Sequence, residues 1–456
     1  MPNRLSAVDA RWQSWRPGAV STAMAGLAFF VSAGLQIVGV PGTSSFGTRT
    51  RFDMDVYRLG GQIWHQGFSL YAEGSMPFTS DGIWLPFTYP PFAALLFTPL
   101  GAVSLAVTSI GISVVTAVAL VYVTAVFLRV LRIGNSANRN VLALWLSVAT
   151  IWFNPTWMTL GFGQINLVLM AMIVVDVFVL RDLRSRNDDG PATFRENPLR
   201  GILTGVASAI KLTPLVFLGV FAAAGRLRAV VTGVVAFAAA AVVAWAWMPD
   251  DSRTYWTHTV FHTARIGEPA GPINQNLNAA WLRILGEDSS AAPIMWALSC
   301  LAVTALAGHA LWKTLPRQAF APGATTLQQA TNSVLATCVI AIWGLLVSPT
   351  TWAHHWGWFV PAILACLAIA ARTDSAGGSR AYLAVGLVGV PIFAIGPFQL
   401  LPDDVTTWNV LDHVIGNAYV LWALAFLIVL CVKPFRCAEP AGSGLSTPAD
   451  ATTQES

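Results

Sequence analysis

LAVTSIGISVVTAVALVYVTAVFL, residues 105–128, carries no charged side chain, and its reading decides the fold. A helix crossing the hydrocarbon core of a bilayer needs about 20 apolar residues. This run is long enough. Comparable segments lie at 20–40, 140–155, 164–180, 228–248, 293–313, 332–349, 357–371, 381–397 and 415–433. Two further apolar stretches are interrupted by proline. Residues 88–103 begin Thr88-Tyr89-Pro90-Pro91, which fits a re-entrant or interfacial helix. Residues 200–224 break at Lys211-Leu212-Thr213-Pro214, which fits two half-helices. Non-helical backbone at membrane depth is tolerated where it lines a cavity. The expectation is an all-α polytopic membrane protein of about ten to twelve helices, some re-entrant or broken, with extracytoplasmic loops.

Composition agrees. Of 456 residues, 55% are hydrophobic and only 11% charged. Mean hydropathy is +0.61. A soluble domain carries roughly a quarter charged residues. The deficit runs the whole length, which excludes a soluble enzyme on a single anchor. The 19 Trp and 24 Phe suit interfacial belts and an apolar groove. A net charge of +4 gives no reason to expect nucleic acid. Cys300, Cys338, Cys366, Cys431 and Cys437 show no C-x-x-C spacing and sit mostly in apolar segments. They read as small core residues, not as a disulfide framework or metal site. The basic N-terminus, residues 1–19, precedes a full-length apolar segment, which reads as a signal anchor.

Charge fixes an orientation. With residues 1–19 in the cytoplasm and sides alternating, the cytoplasmic segments hold 19 of the 26 Lys and Arg. The positive-inside rule favours that topology. Three distinctive loops then face outward: 41–88, 249–292 and 350–356. The catalytic body is expected over 20–435. The tail, 436–456, is rich in Ser, Thr, Pro, Gly and Ala and reads as a disordered cytoplasmic end.

The outward loops carry the chemistry. Asp53 and Asp55 flank Met54 just after the first span, in a chain with 22 acids. Such a carboxylate can serve as a general base at the membrane surface, or cap the helix that follows. If extended, the pair shares a face; if helical, they diverge by about 200°. Pro86-Phe87-Thr88-Tyr89-Pro90-Pro91 reads as a rigid aromatic rim or as an interfacial helix entry. Gln164 and Asn166 open an apolar helix after a very short outward connection; they can bond a neighbouring helix or meet a sugar or phosphate. Lys211 sits between half-helices and can hold a phosphate or snorkel to an interface. In Tyr255-Trp256-Thr257-His258, aromatics can stack on a sugar, and Arg265 can bind an anionic headgroup. The amides Asn274, Gln275 and Asn276 can pair with hydroxyls. His258 and His262 are spaced i, i+4 but lack a clear third ligand for zinc. His354 and His355, framed by Trp352 and Trp356, can donate to a leaving phosphate.

Taken in order, these motifs resemble glycosyltransferase family 87. The resemblance rests on Asp53-Met54-Asp55-Val56-Tyr57, Leu85 to Pro91, Phe162-Gly163-Gln164-Ile165-Asn166, Lys211-Leu212-Thr213-Pro214, Asn274-Gln275-Asn276 and Ser348 to Trp356. It runs from about residue 20 to 435, and the combination is more specific than any one motif. The family comprises actinobacterial membrane mannosyltransferases of the GT-C class. Tyr255 to Gly267 looks closest to the α-(1→2)-mannosyltransferases that branch lipomannan and lipoarabinomannan. Enzymes that elongate phosphatidylinositol mannosides are near relatives, with His at the position of Asp55. That difference puts the catalytic weight on Asp53.

The resemblance implies a polyprenyl-phosphate-mannose donor used on the outer face of the plasma membrane. Asp53 would deprotonate the acceptor 2-hydroxyl for a single inverting displacement. His354, His355, Lys211 and Arg265 would steady the departing phosphate, with Gln164, Asn166 and Tyr89 on the donor side. Asp55, Trp256, His258, Asn274, Gln275 and Asn276 would meet the lipoglycan acceptor. No cofactor or metal is implied, since the lipid-linked donor is a substrate. Within the class the alternatives are a phosphatidylinositol mannoside mannosyltransferase and a polyprenyl-phosphate-arabinose arabinofuranosyltransferase. A lipid-linked sugar transporter is the alternative outside it: broken helices and an intramembrane Lys suit transport, but no internal repeat is evident.

Overall fold

The computed structural model describes residues 2–39, 51–180, 183–184, 194–195, 197–262, 267–315, 327–373 and 375–435. Arg265 and the tail from 436 lie outside these residues. The chain begins with α1 (Pro2–Ser14), α2 (Ala19–Val38), α3 (Phe52–His65), α4 (Pro91–Gly101), α5 (Leu105–Val130), α6 (Arg139–Thr150), α7 (Asn154–Phe162) and α8 (Asn166–Val174), which a π-turn extends to Val179. A two-residue antiparallel ladder follows, β1 (Leu183–Arg184) with β2 (Phe194–Arg195). Next come α9 (Ile202–Ile210), a 3-10 turn at Thr213–Phe217, α10 (Leu218–Ala223), α11 (Leu227–Trp247), α12 (Pro249–Thr257), α13 (Leu277–Leu285), α14 (Ala291–Thr314) and α15 (Leu327–Val347). A 3-10 turn at Ala353–Trp358 leads into α16 (Phe359–Arg372), followed by α17 (Ala376–Ile395), α18 (Val410–Gly416) and α19 (Ala418–Val432).

Among the described residues, seven helices are long and apolar enough to cross a membrane: α2, α5, α11, α14, α15, the continuous stretch Ala353–Arg372, and α17. Two bent pairs add to them, α6 with α7 at 78° and α18 with α19 at 69°. Shorter apolar helices lie at Pro91–Gly101, Asn166–Val179 and Thr213–Ala223. Every apolar segment read from the sequence has its helix. The span at 140–155 is the one whose course differs most. It bends before Asn154, and the supposed short outward connection is the helix α7. Pro155 in the first turn of α7 lacks an N–H to continue the α6 ladder, so the helix restarts there.

Burial separates the helices by role. The central ones are α15 and Ala353–Arg372, with 72% and 83% of their spanning windows buried. In α2, α11 and α14 the share is only 22%, 22% and 17%. Their outer faces, including Val242, Trp247 and Leu301, are apolar and exposed. An apolar belt of this extent on a multi-helix protein belongs against lipid.

The loops gather at two ends. At one, Arg372 grips Asp9 through both guanidinium edges at 2.9 Å, Gln13 bonds the Arg132 carbonyl, and Asn138 bonds the Trp12 carbonyl. At the other, Asp251 accepts from the Ser69 hydroxyl and the Leu70 N–H, and the Gln275 N–H donates to Thr351 O at 2.7 Å.

The proline-broken stretch 200–224 forms a hairpin. Gly201 backs onto Ala229 and Gly205 onto Gly233, so α9 runs alongside α11. The chain turns at Lys211 and returns through α10. The amides opening α9 are met by Asp176, whose carboxylate accepts from Gly201 N at 2.7 Å, Thr204 N at 2.9 Å and Thr204 Oγ1 at 2.7 Å. Lys211 sits at the tip.

Candidate active site

A cavity of about 560 Å³ opens where these elements meet. Its walls are mostly apolar, with Phe52, Val56, Leu85, Pro86, Phe162 and Trp352 among them. Its polar side chains include Asp53, Thr88, Tyr89, Gln164, Lys211, His354 and His355. A concave, largely apolar pocket with a few convergent polar groups is the usual form of a small-molecule site.

Asp53 stands in the first turn of α3 and faces the cavity. The helix α3 lies outside the spans. Desolvation raises the Asp53 carboxyl to about 6, against the opposing pull of a Gln164 hydrogen bond and the Lys211 charge. A carboxylate so placed is held near the working range of a general base.

Gln164 joins Asp53 on the cavity wall because Gly163 permits it. Gly163 ends α7 at φ +71°. A Cβ there would come within 2.6 Å of the Met54 Cβ and 3.2 Å of the Arg51 Cδ. Only glycine lets the turn press this closely on α3. The Gln164 carbonyl then accepts from Tyr57 Oη at 2.9 Å and Lys211 Nζ at 3.3 Å.

Lys211 also donates to Asn166 Oδ1 at 2.9 Å, and its ammonium lies 5.7 Å above the Tyr89 ring. His355 Nε2 is 3.2 Å from Lys211 Nζ. The other ring nitrogen, Nδ1, accepts from the Trp352 N–H at 3.2 Å, which places the imidazole proton on Nε2. Two donors therefore face one point and neither supplies an acceptor. An anionic oxygen there would satisfy both. His354 is 5% exposed, and neither of its ring nitrogens has a partner. Its carbonyl is held by Thr159 Oγ1 at 3.0 Å and Asn166 Nδ2 at 3.1 Å. Buried ring nitrogens at a cavity wall without partners mark a place for a ligand. Among the described residues, no three His, Cys, Asp or Glu side chains gather in metal-binding geometry.

The site thus brings together Asp53, Tyr89, Gln164, Lys211, His354 and His355, with Asn166 supporting Lys211. Other expected residues are placed elsewhere. Asp55 is 1% exposed; Arg58 Nε and Nη2 meet its Oδ1 at 2.9 Å, and Ser80 N and Oγ meet its Oδ2 at 2.7 and 2.8 Å. It ties the 69–85 loop to α3 and does not line the cavity. Asn274, Gln275 and Asn276 are fully buried and hold the chain itself. Asn274 Oδ1 accepts from Thr351 N at 2.8 Å, Asn276 caps α13 through Ala279 N at 2.7 Å, and Gln275 Nε2 donates to Gly416 O at 2.7 Å. Buried amides inside a loop are consumed by backbone groups that water cannot reach. Trp256 packs edge-on to Phe237, and its neighbour Tyr255 lines the cavity, because successive helical residues point about 100° apart. His258 is exposed, stacked on His262 with ring centres 3.9 Å apart, and away from the cavity wall.

Several contributors carried no legible signal. Tyr57 is an ordinary aromatic on an amphipathic helix until its hydroxyl is seen on Gln164. Thr159 is one hydroxyl in an apolar run. Arg283 is buried and donates to the carbonyls of Ala270, Gly271 and Asn274 and to Asn417 Oδ1, which steadies the loop behind Trp352. Its pattern, one cation at the end of α13, matches any surface helix.

Residues 87–349 match the model of glycosyltransferase family 87. A polyprenol-phosphate-mannose-dependent α-(1-2)-phosphatidylinositol mannoside mannosyltransferase of Mycobacterium tuberculosis is 35% identical over 394 residues, 84% of each chain. A phosphatidylinositol pentamannoside mannosyltransferase, also polyprenol-phosphate-mannose-dependent and from M. tuberculosis, is 31% identical over 403 residues, 85% of this chain and 84% of that one. Among solved structures, ArnT from Cupriavidus metallidurans bound to undecaprenyl phosphate aligns over 90% of this chain and 76% of its own, at 13% identity and a TM-score of 0.34. The family match covers more than half of the sequence, and it takes in most of the cavity wall from Phe87 to Pro349, so the chain belongs to glycosyltransferase family 87 and is a multi-pass membrane glycosyltransferase.

Proposed function

We propose that the enzyme transfers mannose from a polyprenyl-phosphate-mannose donor to the 2-hydroxyl of an α-mannoside acceptor on the outer face of the membrane. One observation carries the reading: Asp53 shares a cavity with Lys211, His354 and His355. Asp53 takes the acceptor proton as the oxygen attacks the anomeric carbon. The C–O bond to phosphate breaks on the opposite face, so β becomes α. The leaving group is a phosphate monoester anion, stable without protonation, and Lys211 with the two imidazoles steadies its charge. The names of the two mycobacterial relatives support a phosphatidylinositol mannoside as acceptor over the longer mannan of a lipoglycan branch. The charge asymmetry of the loops supports the outward orientation.

The test supplies membranes containing the enzyme with radiolabelled polyprenyl-phosphate mannose and, separately, a phosphatidylinositol mannoside or a short α-1,6-mannan. A new α-1,2 linkage on the first acceptor supports the reading. Label on the mannan alone moves the assignment to lipoglycan branching. No transfer from the mannose donor to either acceptor, or movement of label across the bilayer without a glycosidic bond, defeats it.

A further inference from the structure

We infer that the turn at 78–84 is an interfacial anchor, an apolar surface that sits in the headgroup region of the bilayer beside the cavity mouth. The inference goes beyond the proposed reaction and does not depend on it. Phe78, Ile83 and Trp84 are 67%, 41% and 42% exposed, and Phe68, earlier in the same loop, is 60% exposed. Large apolar side chains scattered singly over a surface need no explanation, but a group of them on one short loop marks a contact.

The turn holds its own shape. Thr79 N–H donates to Ile83 O at 2.9 Å, Gly82 N–H donates to Thr79 O at 2.8 Å, and Gly82 takes φ +76°. Asp55 on α3 grips Ser80 from below through its N–H and its hydroxyl. Trp84 Nε1 donates to Met76 O at 3.0 Å, so the indole is fixed while its ring stays exposed. The rings are therefore displayed by a braced element.

The level of the turn follows from where its loop is fastened. The spanning helix α11 ends at Trp247, and Met248 follows it. Met248 is buried in one apolar cluster with Leu70, Met76 and Phe87. Asp251, in the first turn of α12, accepts from Ser69 Oγ at 2.9 Å and Leu70 N at 3.0 Å. The loop is thus tied within a turn of the point where a span ends. Trp245 and Trp247, 44% and 67% exposed on the last turn of α11, occupy the position of an interfacial aromatic belt. The exposed rings of the loop extend that belt.

The occupant follows from charge. Residues 66–86 include Glu73 and Asp81 and no Lys or Arg, so the loop does not draw an anionic surface. Burial of apolar rings among lipids is what holds it. Leu85 and Pro86, next along the chain, line the cavity. Contact between the turn and the leaflet sets the cavity mouth level with the headgroups, where a lipid-borne sugar reaches it without leaving the membrane.

The experiment reconstitutes the enzyme in phosphatidylcholine nanodiscs with a trace of phospholipid carrying a diazirine near the head of its acyl chain. After irradiation and proteolysis, adducts are mapped by mass spectrometry. The peptide holding 78–84 is expected to be labelled to within about threefold of the peptide holding Trp245 and Trp247. The label should not change between about 50 and 500 mM NaCl. In Phe78→Ser/Ile83→Ser, which keeps Trp84 and its bond, label on the turn should fall at least about threefold, with label on α11 unchanged. A turn that stays unlabelled in the parent beside a labelled α11 overturns the inference, whether a second copy of the chain or a segment of this one covers the rings. Label that is lost at high salt overturns it as well, and so does undiminished label in a double variant that keeps the parent's size-exclusion profile. No substrate enters these measurements, so a failure of the mannosyl-transfer reading leaves them untouched.

Discussion

Asp53 and Asp55 lie two positions apart in sequence and about 200° apart around α3, so one carboxylate faces the cavity and the other is sealed behind the helix by Arg58 and Ser80. Opposite consequences are expected on substitution. Asp53→Asn should fold and lose about 10²- to 10⁴-fold in kcat, the usual contribution of a general base. Asp55→Ala strands Arg58 and two Ser80 donors; since Arg58 is partly exposed, the cost is about 2–3 kcal/mol of stability. It should show as a lowered melting temperature and yield in detergent, with near-parental kcat per folded molecule. Equal damage to kcat in both variants would contradict this division.

The raised Asp53 carboxyl sets a pH dependence. The base must be ionised to accept a proton, and it titrates at about 6. Activity should be level from that value up to the range where the Lys211 ammonium loses its proton, and fall beyond that range. Below the carboxyl's own value, kcat/KM should fall about tenfold per unit as the protonated fraction grows. A rate profile on purified enzyme with saturating acceptor checks this. An activity that rises as pH drops through 6 would exclude Asp53 as the base.

Lys211 is the cation beside both imidazoles; in the proposed mechanism it meets the anionic donor phosphate and counts for more as further negative charge develops on departure. Lys211→Met should lower kcat by about 10²–10³. Inhibition by the product, polyprenyl phosphate, should weaken in the same variant. Undiminished product inhibition would place the phosphate elsewhere.

Gly163 joins α7 to the site at positive φ and in contact with α3. Gly163→Ala adds about 1–2 kcal/mol of backbone strain, and the methyl collides with Met54. Thermal stability and activity should fall together, because the displaced turn carries Gln164 away from Tyr57 and Lys211. A stable and fully active Gly163→Ala protein would show that this close approach is dispensable.

The helices were legible because a bilayer imposes one crude rule, a long apolar run, and the chain obeys it from residue 19 to 432. The bend between α6 and α7 was not, since Pro155 permits a kink without stating its angle. Asp53, Lys211, His354 and His355 stood out in the sequence and line one cavity, because a charge or an imidazole is costly to bury unless a ligand or partner meets it. The expected residues that lie off the cavity wall are amides and a second acid. Asn274, Gln275 and Asn276 have the composition of a sugar-binding loop, but the same groups serve equally well to satisfy buried backbone. Composition cannot separate those uses. Asp176 shows the reverse error of omission. An acid near the end of an apolar helix passes for an interfacial residue, yet it anchors the hairpin whose tip is Lys211.

That hairpin enters from the end of the bundle opposite the loops that form the rest of the cavity. Lys211 is thus mounted on a strut of nine residues, about 13 Å long, whose foot is the Asp176 carboxylate. Force on Lys211 from a bound anion is borne at that far foot. Asp176→Asn is therefore expected to loosen the Lys211 tip from outside the cavity, lowering activity with the cavity-wall residues unchanged.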